Sequence, residues 1–200
     1  MESRATAKIL MLTQSQGTIR TRDALAAGIH PEYLRRMVER GDLIKSGRGI
    51  YTNPTAELSE HHSLAAASQR VPHGVICLLS ALQFHNIGTQ APFEVWLAID
   101  VKSRRPSNDL VPLHPVYMSG TALELGIDTH MIEGLPVRIY SPAKTVVDCF
   151  KYRHKIGLDV AIEALRDCWQ SRRCEMDELW NYAKVCRMSR VMRPYLECLT

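Results

Sequence analysis

Gly28, Pro31 and Gly41 cut the first quarter of this chain into short pieces whose types are readable. Glycine ends helices by entering the left-handed region, and proline suits the first helical position. The spacing therefore predicts a short helix over Arg22–Ala27, with Thr21 as its cap and Asp23 in its first turn. Pro31 opens the next helix, Glu32 suits its positive end, and Leu34, Met37 and Val38 make one apolar face at 3-4 spacing. Gly41 stops that helix, and "LIKSGRGIYTN" follows at once as two apolar strands around a glycine-rich bend. Upstream, Arg4–Ser15 has a helical pattern with Ile9, Leu10 and Leu12 inside, and Ile19 after Gly17 is a short extended contact.

Helix, short helix, tight glycine turn, helix, β-hairpin is the order of a winged helix-turn-helix. With its apolar face inward, the third helix turns Glu32, Arg36 and Glu39 outward and carries Tyr33, Arg35 and Arg40 on its flanks. It would then be the recognition helix, its arginines reaching bases or phosphates. On the hairpin, Leu43, Ile44, Ile50 and Tyr51 are candidates to face inward, which leaves Lys45 and Arg48 for phosphate or a minor groove. Glu32 and Glu39 would repel phosphate, so Glu32 either reads a cytosine amino group or stabilises the helix start.

The distribution of charge agrees with an anionic partner. Residues 1–54 hold nine Lys/Arg against five Asp/Glu, whereas residues 55–200 hold sixteen of each, so the whole net charge of +4 lies in the first quarter. With 46% hydrophobic and 23% charged residues the chain has the composition of a soluble globular protein. Its apolar runs are too short for a membrane span or a signal-peptide core, so no membrane partner and a cytoplasmic location are expected.

Beyond a junction at "TAELSE", the reading is a mixed α/β domain over residues 55–200 with a helical C-terminal half. It begins with a helix over Ser59–Arg70, and "VICLLSALQFHNIG" reads as one buried helix ended near Gly88. "FEVWLAID", "LHPVYMS", "DTHMIEG" and "LPVRIYS" are strands, the last two joined at Glu133-Gly134. Helices follow: one started by Ser141-Pro142, one with Leu158, Ala161, Ile162 and Leu165 on its inner face, one over "EMDELWNYAKVCR", and a last one starting at Pro194.

No catalytic constellation organises itself there. Asp100 and Lys102 make half of a metal-dependent nuclease signature, but residues 61–93 contain no acid to share the metal. Phosphate-binding glycine loops and the nucleophile elbow are absent. The six cysteines include no C-x-x-C pair, so reduced and mostly buried thiols are expected rather than a metal site. His61-His62 reads as a solvated helix start, and Lys144 and Asp148, four apart, as a surface ion pair. No enzyme, cofactor or metal is expected.

The run "RTRDALAAGIHPEYLRRMVERGDLIKSGRGIYTN" resembles the N-terminal domain of AbiEi-type antitoxins of AbiE toxin–antitoxin systems. The stretches "VICLLSALQFHNIGTQAPFEVWLAI", "GLPVRIYSPAKTVVDCFKYRHKIGLDVAIEALRDC" and "MRPYLECL" resemble its second domain, in the family's order. The resemblance implies a bacterial repressor that binds its own operator through residues 1–54. It also implies that residues 55–200 neutralise a cognate nucleotidyltransferase-like toxin. Carried over by position, Tyr33, Arg35, Arg36 and Arg40 on the third helix and Lys45 and Arg48 on the wing would contact DNA, with Arg22 and His30 completing the set. His30 departs from the small polar cap common in that family. A solitary regulator without a toxin, and a protein-interaction module whose winged helix binds protein, remain the alternatives. The sequence leaves the oligomeric state open.

Overall fold

Ile9 and Thr13 stand one turn apart on the buried side of α1 (Glu2–Gln16), and the Thr13 hydroxyl donates back to the Ile9 carbonyl at 3.0 Å. The computed structural model describes residues 2–16, 18–47, 49–54, 59–106 and 111–199. The chain is mixed α+β and divides into two units, Met1–His62 with Met131–Leu135, and Ser63–His130 with Pro136–Thr200.

In the first unit α1 is followed by β1 (Thr18–Arg20), α2 (Thr21–Ala26), α3 (Pro31–Glu39), β2 (Ile44–Gly47) and β3 (Ile50–Thr52). The strands form an antiparallel sheet in the order β1-β3-β2, with Tyr51 in register with Ile19 on one side and Lys45 on the other. Ile9, Ile19, Ala24, Ile29, Leu34, Met37 and Leu43 close one buried cluster beneath it. That cluster explains why each short helix holds, since packing of an apolar face supplies most helical stability.

Three expectations change in this unit. Thr21 does not cap α2: Arg20 holds the cap position without a side-chain bond, and Thr21 is the first helical residue. Its N–H and hydroxyl instead both donate to the Gly49 carbonyl, at 2.9 and 3.3 Å. The hairpin bend passes that close because Gly49, at φ +72°, has no Cβ, which would stand 3.1 Å from the Thr21 oxygen. Ile44 is 54% exposed, because side chains alternate along a strand and its neighbour Leu43 takes the inner place. His62 is not merely solvated: its Nδ1 lies 2.9 Å from a Glu133 carboxylate oxygen, and the Ser59 hydroxyl donates to the same carboxylate at 2.9 Å.

In the rest of the chain α4 (His62–Arg70) begins three residues later than its pattern suggested. β4 (Val75–Ile76) and α5 (Leu78–Phe84) replace the single helix expected there. The β-branched pair Val75-Ile76 is fully buried between neighbours on both sides, and a short apolar run does not distinguish strand from helix by period. After it come β5 (Val95–Asp100), β6 (Leu113–Met118), the single turn α6 (Thr121–Glu124), β7 (Ile127–Ile132) and β8 (Leu135–Tyr140). The sheet order is β6-β5-β4-β8-β7, with β4 antiparallel to β5 and parallel to β8, and β5 parallel to β6. Glu133 and Gly134, both at positive φ, form the expected two-residue turn between β7 and β8.

From Pro142 onward the elements are helices: α7 (Pro142–Lys151), α8 (Arg153–Ile156), α9 (Leu158–Gln170), α10 (Met176–Val185) and α11 (Ser189–Glu197). Ser141 caps α7 by accepting from the Lys144 N–H, with Pro142 in the first turn. Leu158 is 40% exposed at the first position of α9, where Val160, Ala161, Ala164, Leu165 and Cys168 form the inner face. Pro194 lies inside α11 rather than at its start, because Met192 is already packed in the core one residue after Val191.

Residues Ala143–Phe150 of α7 are buried without interruption, so this helix is the axis of the second core. Its Lys144 and Asp148 therefore form a fully buried ion pair, not the surface pair expected. The Lys144 ammonium donates to Asp148 Oδ2 and stands 4.1 Å from the centroid of the Tyr140 ring, while the Cys186 thiol donates to Asp148 Oδ1 at 3.7 Å. Burial pushes the Asp148 carboxyl above the usual carboxylate range, and Lys144 pulls it part of the way back. The six cysteines are all free thiols, five buried and Cys198 exposed.

Candidate nucleic-acid interface

Helix α3 owes its position to a cap that the sequence pattern did not identify as one. His30 precedes Pro31 in extended conformation, and its Nδ1 accepts from the Glu32 N–H at 3.3 Å. This does the work of the smaller polar cap it replaces, satisfying one of the first four orphan N–H groups. Leu34 and Met37 are completely buried, and Tyr33 and Val38 pack partly against the same core. Arg35, Arg36 and Arg40 are thereby turned to solvent.

These arginines are not bare charges. Arg35 is clasped by Glu39 at 3.2 Å and Glu32 at 3.7 Å, Arg36 approaches Glu32 at 3.8 Å, and Arg40 pairs with Asp42 at 3.3 Å. All of these pairs are exposed, where an ion pair contributes about 0–1 kcal/mol. A phosphate or a base edge can displace such a partner at little cost. Glu32 serves here as helix-start charge and arginine clasp.

Around this helix the other candidates fall on several elements. Lys45 is exposed on β2, next to a bulge between Lys45 and Gly47 that bends the strand. Arg22 is exposed at the start of α2 and lies 3.5 Å from Asp23. Arg48 lies outside the described residues. Two cations absent from the sequence-derived set also belong to this unit. Lys8 donates to the Ala27 carbonyl at 2.8 Å, which ties α1 to the end of α2 and makes it structural. Arg20, in register with Ile50, is half-buried with its Nε unbonded, and burial and the nearby Arg22 lower its pKa. Its signal in the sequence was the pair of arginines, Arg20 and Arg22, that flanks the start of α2.

Residues 7–54 match the family model described as "Transcriptional regulator, AbiEi antitoxin". This segment is similar to the AbiEi type. The AbiEi match spans all eight candidate residues and Arg20, and it ends two residues after β3. The fold is similar to that in the crystal structure of the RV2827C protein from Mycobacterium tuberculosis, with a TM-score of 0.59 at 13% identity. That similarity covers 91% of this chain and 70% of the other, and at this identity it speaks for the fold alone. No curated protein matches the chain significantly.

Beyond the matched segment, Asp100 and His114 are taken up structurally. The Asp100 carboxylate accepts from the Lys102 N–H at 2.8 Å, closing a turn at the end of β5. His114 stacks on Trp96 with ring centroids 3.8 Å apart and holds Glu94 at 3.1 Å. Among the described residues no group of three or more His, Cys, Asp or Glu could hold a metal ion, and no helix is long and apolar enough to cross a membrane.

Proposed function

We propose that residues 1–54 form a winged helix-turn-helix that binds double-stranded operator DNA, and that the protein represses its own operon. In this reading α3 is the recognition helix, presenting Tyr33, Arg35, Arg36 and Arg40, and the β2–β3 hairpin is the wing with Lys45 and Arg48. His30 holds the start of α3 and, with Arg22, flanks the contact. Residues 55–200 act as the antitoxin part toward a nucleotidyltransferase-like toxin. Such a repressor works in the bacterial cytoplasm and needs neither cofactor nor catalytic site. The observation that carries the reading is the AbiEi match over 7–54, falling on the unit where an exposed arginine helix adjoins a basic hairpin.

The test is binding of the purified protein to its own upstream DNA and to unrelated DNA at several salt concentrations. Affinity for the upstream fragment is expected to exceed that for unrelated DNA and to fall steeply with salt, as contacts to phosphate release counterions. Arg36→Ala and Lys45→Ala are each expected to weaken binding, with a contact to phosphate flattening the salt slope by about one and a contact to a base costing about 1–3 kcal/mol. Unaltered binding in both variants removes the helix-and-wing assignment. Absence of DNA binding in the parent protein leaves the protein-interaction module. A toxin gene next to this one, whose product is neutralised on co-expression, separates the antitoxin from a solitary regulator.

The acidic clasp gives a test of opposite sign. Glu39→Gln frees Arg35 from its closest partner and removes a charge that repels phosphate. Operator affinity is expected to rise about two- to fivefold, the range of an exposed ion pair. A fall in affinity would mean that Glu39 positions Arg35 for the contact.

A further inference from the structure

Arg20 ends β1 with a donor that nothing satisfies. Its Nε is closed off from solvent and has no hydrogen-bond partner, and among the described residues its guanidinium joins no ion pair. Buried donors are nearly always bonded, so an exception marks a place that a water or a ligand completes. The arginines of α3 differ, since Arg35, Arg36 and Arg40 each approach an acid. Arg22 likewise has Asp23 at 3.5 Å. Burial first, and then the like charge of Arg22, lower the Arg20 pKa, and Asp23 offsets them only in part.

The backbone sets this side chain beside the hairpin bend. Ile19 turns inward and is 2% exposed, so Arg20 turns to the opposite face of the sheet. Arg20 is in register with Ile50, and Ile50 with Gly47, so the three share the row of the sheet nearest the bend. Thr21, next in sequence, grips the bend itself, with its N–H and hydroxyl both on the Gly49 carbonyl. The strand ladder on one side and Thr21 on the other therefore fix where Arg20 stands relative to the hairpin. Arg22 follows two residues on and is exposed.

We propose that Arg20 holds a phosphate of the DNA backbone beside the wing, through Nε and one terminal nitrogen. This rests on the DNA-binding reading above and adds to it a contact that positions the duplex without reading a base. The fork of Nε–H and a terminal N–H matches two oxygens of one phosphate, which makes the pair bidentate. The half-buried guanidinium leaves its resting place to do so, and this breaks no hydrogen bond while it gains one for Nε. Nor is there an acid to displace, in contrast to Arg35 and its clasp by Glu39. A lysine supplies charge at this position but no fork.

The test measures binding of the full-length parent, Arg20→Gln and Arg20→Lys to the upstream fragment and to an unrelated duplex of equal length, at several salt concentrations. Arg20→Gln is expected to lose about tenfold in affinity on both fragments, the effect of one hydrogen-bonded charge. Its salt slope is expected to flatten by about one. Arg20→Lys is expected to keep the slope and recover only part of the affinity. Both variants are expected to melt with the parent when followed by circular dichroism, as Arg20 has no bond to lose. Unchanged binding of Arg20→Gln overturns the proposal and leaves Nε to a water. A loss confined to the upstream fragment overturns it by making the contact one to a base. Arg20→Lys keeps the stem and the charge, so it decides where Arg20→Gln melts early: parent affinity in Arg20→Lys overturns the fork. Failure of the underlying reading looks different, because the parent then binds no DNA, or Arg36→Ala and Lys45→Ala are silent, and this contact falls with it. Failure of this contact alone leaves the parent bound and those two variants weakened.

Discussion

Lys144→Met is expected to lower the unfolding free energy by about 3–5 kcal/mol, and Asp148→Leu by a similar amount. Each change leaves one ion in a core from which water is excluded, since both side chains of the pair are completely buried. The double variant Lys144→Met/Asp148→Leu is expected within about 1 kcal/mol of the parent, because well-packed apolar groups often replace a buried ion pair without loss. Urea unfolding followed by tryptophan fluorescence reads this, as Trp96, Trp169 and Trp180 all lie in the second unit. Single variants within about 1 kcal/mol of the parent would mean that solvent reaches the pair, against its burial.

The same variant has a defined pH dependence. In the parent, burial raises the Asp148 carboxyl, while Lys144, Lys151 and the Cys186 thiol draw it back. Without Lys144 the carboxyl rises further, so the folded state keeps a proton that the unfolded chain releases above about pH 4. Folding then binds protons, and stability is lost as pH rises through the folded-state value. Relative to the parent, Lys144→Met is expected to be more stable at pH 5 than at pH 8. The reverse order would show that Asp148 stays ionised by finding another cation.

The contrast between α3 and α7 shows what the sequence could reveal. In α3 the residues Leu34 and Met37 face one core while charge covers the other side, so the 3.6-residue period is visible and the buried face was read correctly. In α7 neighbours surround the helix on all sides, and Ala143–Phe150 is buried whatever its polarity. An i,i+4 lysine–aspartate pair has the same spacing on a surface as in a core, so only the packing of the other helices around it tells them apart. Val75-Ile76 was lost in a helix for a related reason: two residues are too few to carry a period. At the candidate interface the exposed arginines were legible, because they are what an apolar face leaves over. Their clasp by Glu32 and Glu39 depends on rotamers, and the role of His30 as a cap depends on a ring nitrogen meeting an N–H. No pattern of residue types specifies either.

Gly126→Ala is expected to cost about 3–4 kcal/mol, and two effects contribute. Gly126 has φ +71°, where a residue with a Cβ loses about 1–2 kcal/mol. That Cβ would also lie 2.7 Å from Lys144 Cβ and 3.1 Å from Tyr182 Cζ. Overpacking a core by a methyl group costs about 1–3 kcal/mol, and more when the neighbour has nowhere to go. Lys144 cannot swing aside, since its ammonium is held by Asp148 at one end and its backbone N–H by Ser141 at the other. The Gly126 backbone is tied as well, its carbonyl accepting from the Ser141 N–H at 2.7 Å. Gly88→Ala separates the two effects, because Gly88 has φ +69° but its added Cβ meets the Glu163 side chain no closer than an ordinary 3.5 Å. It is expected to lose only the backbone part, about 1 kcal/mol, in the same tryptophan-monitored urea titration. The excess loss at Gly126, about 2–3 kcal/mol, then measures how rigidly the buried pair holds the lysine stem. Equal losses at the two glycines would show that the stem gives way, and that Lys144 has a second place to go inside the core.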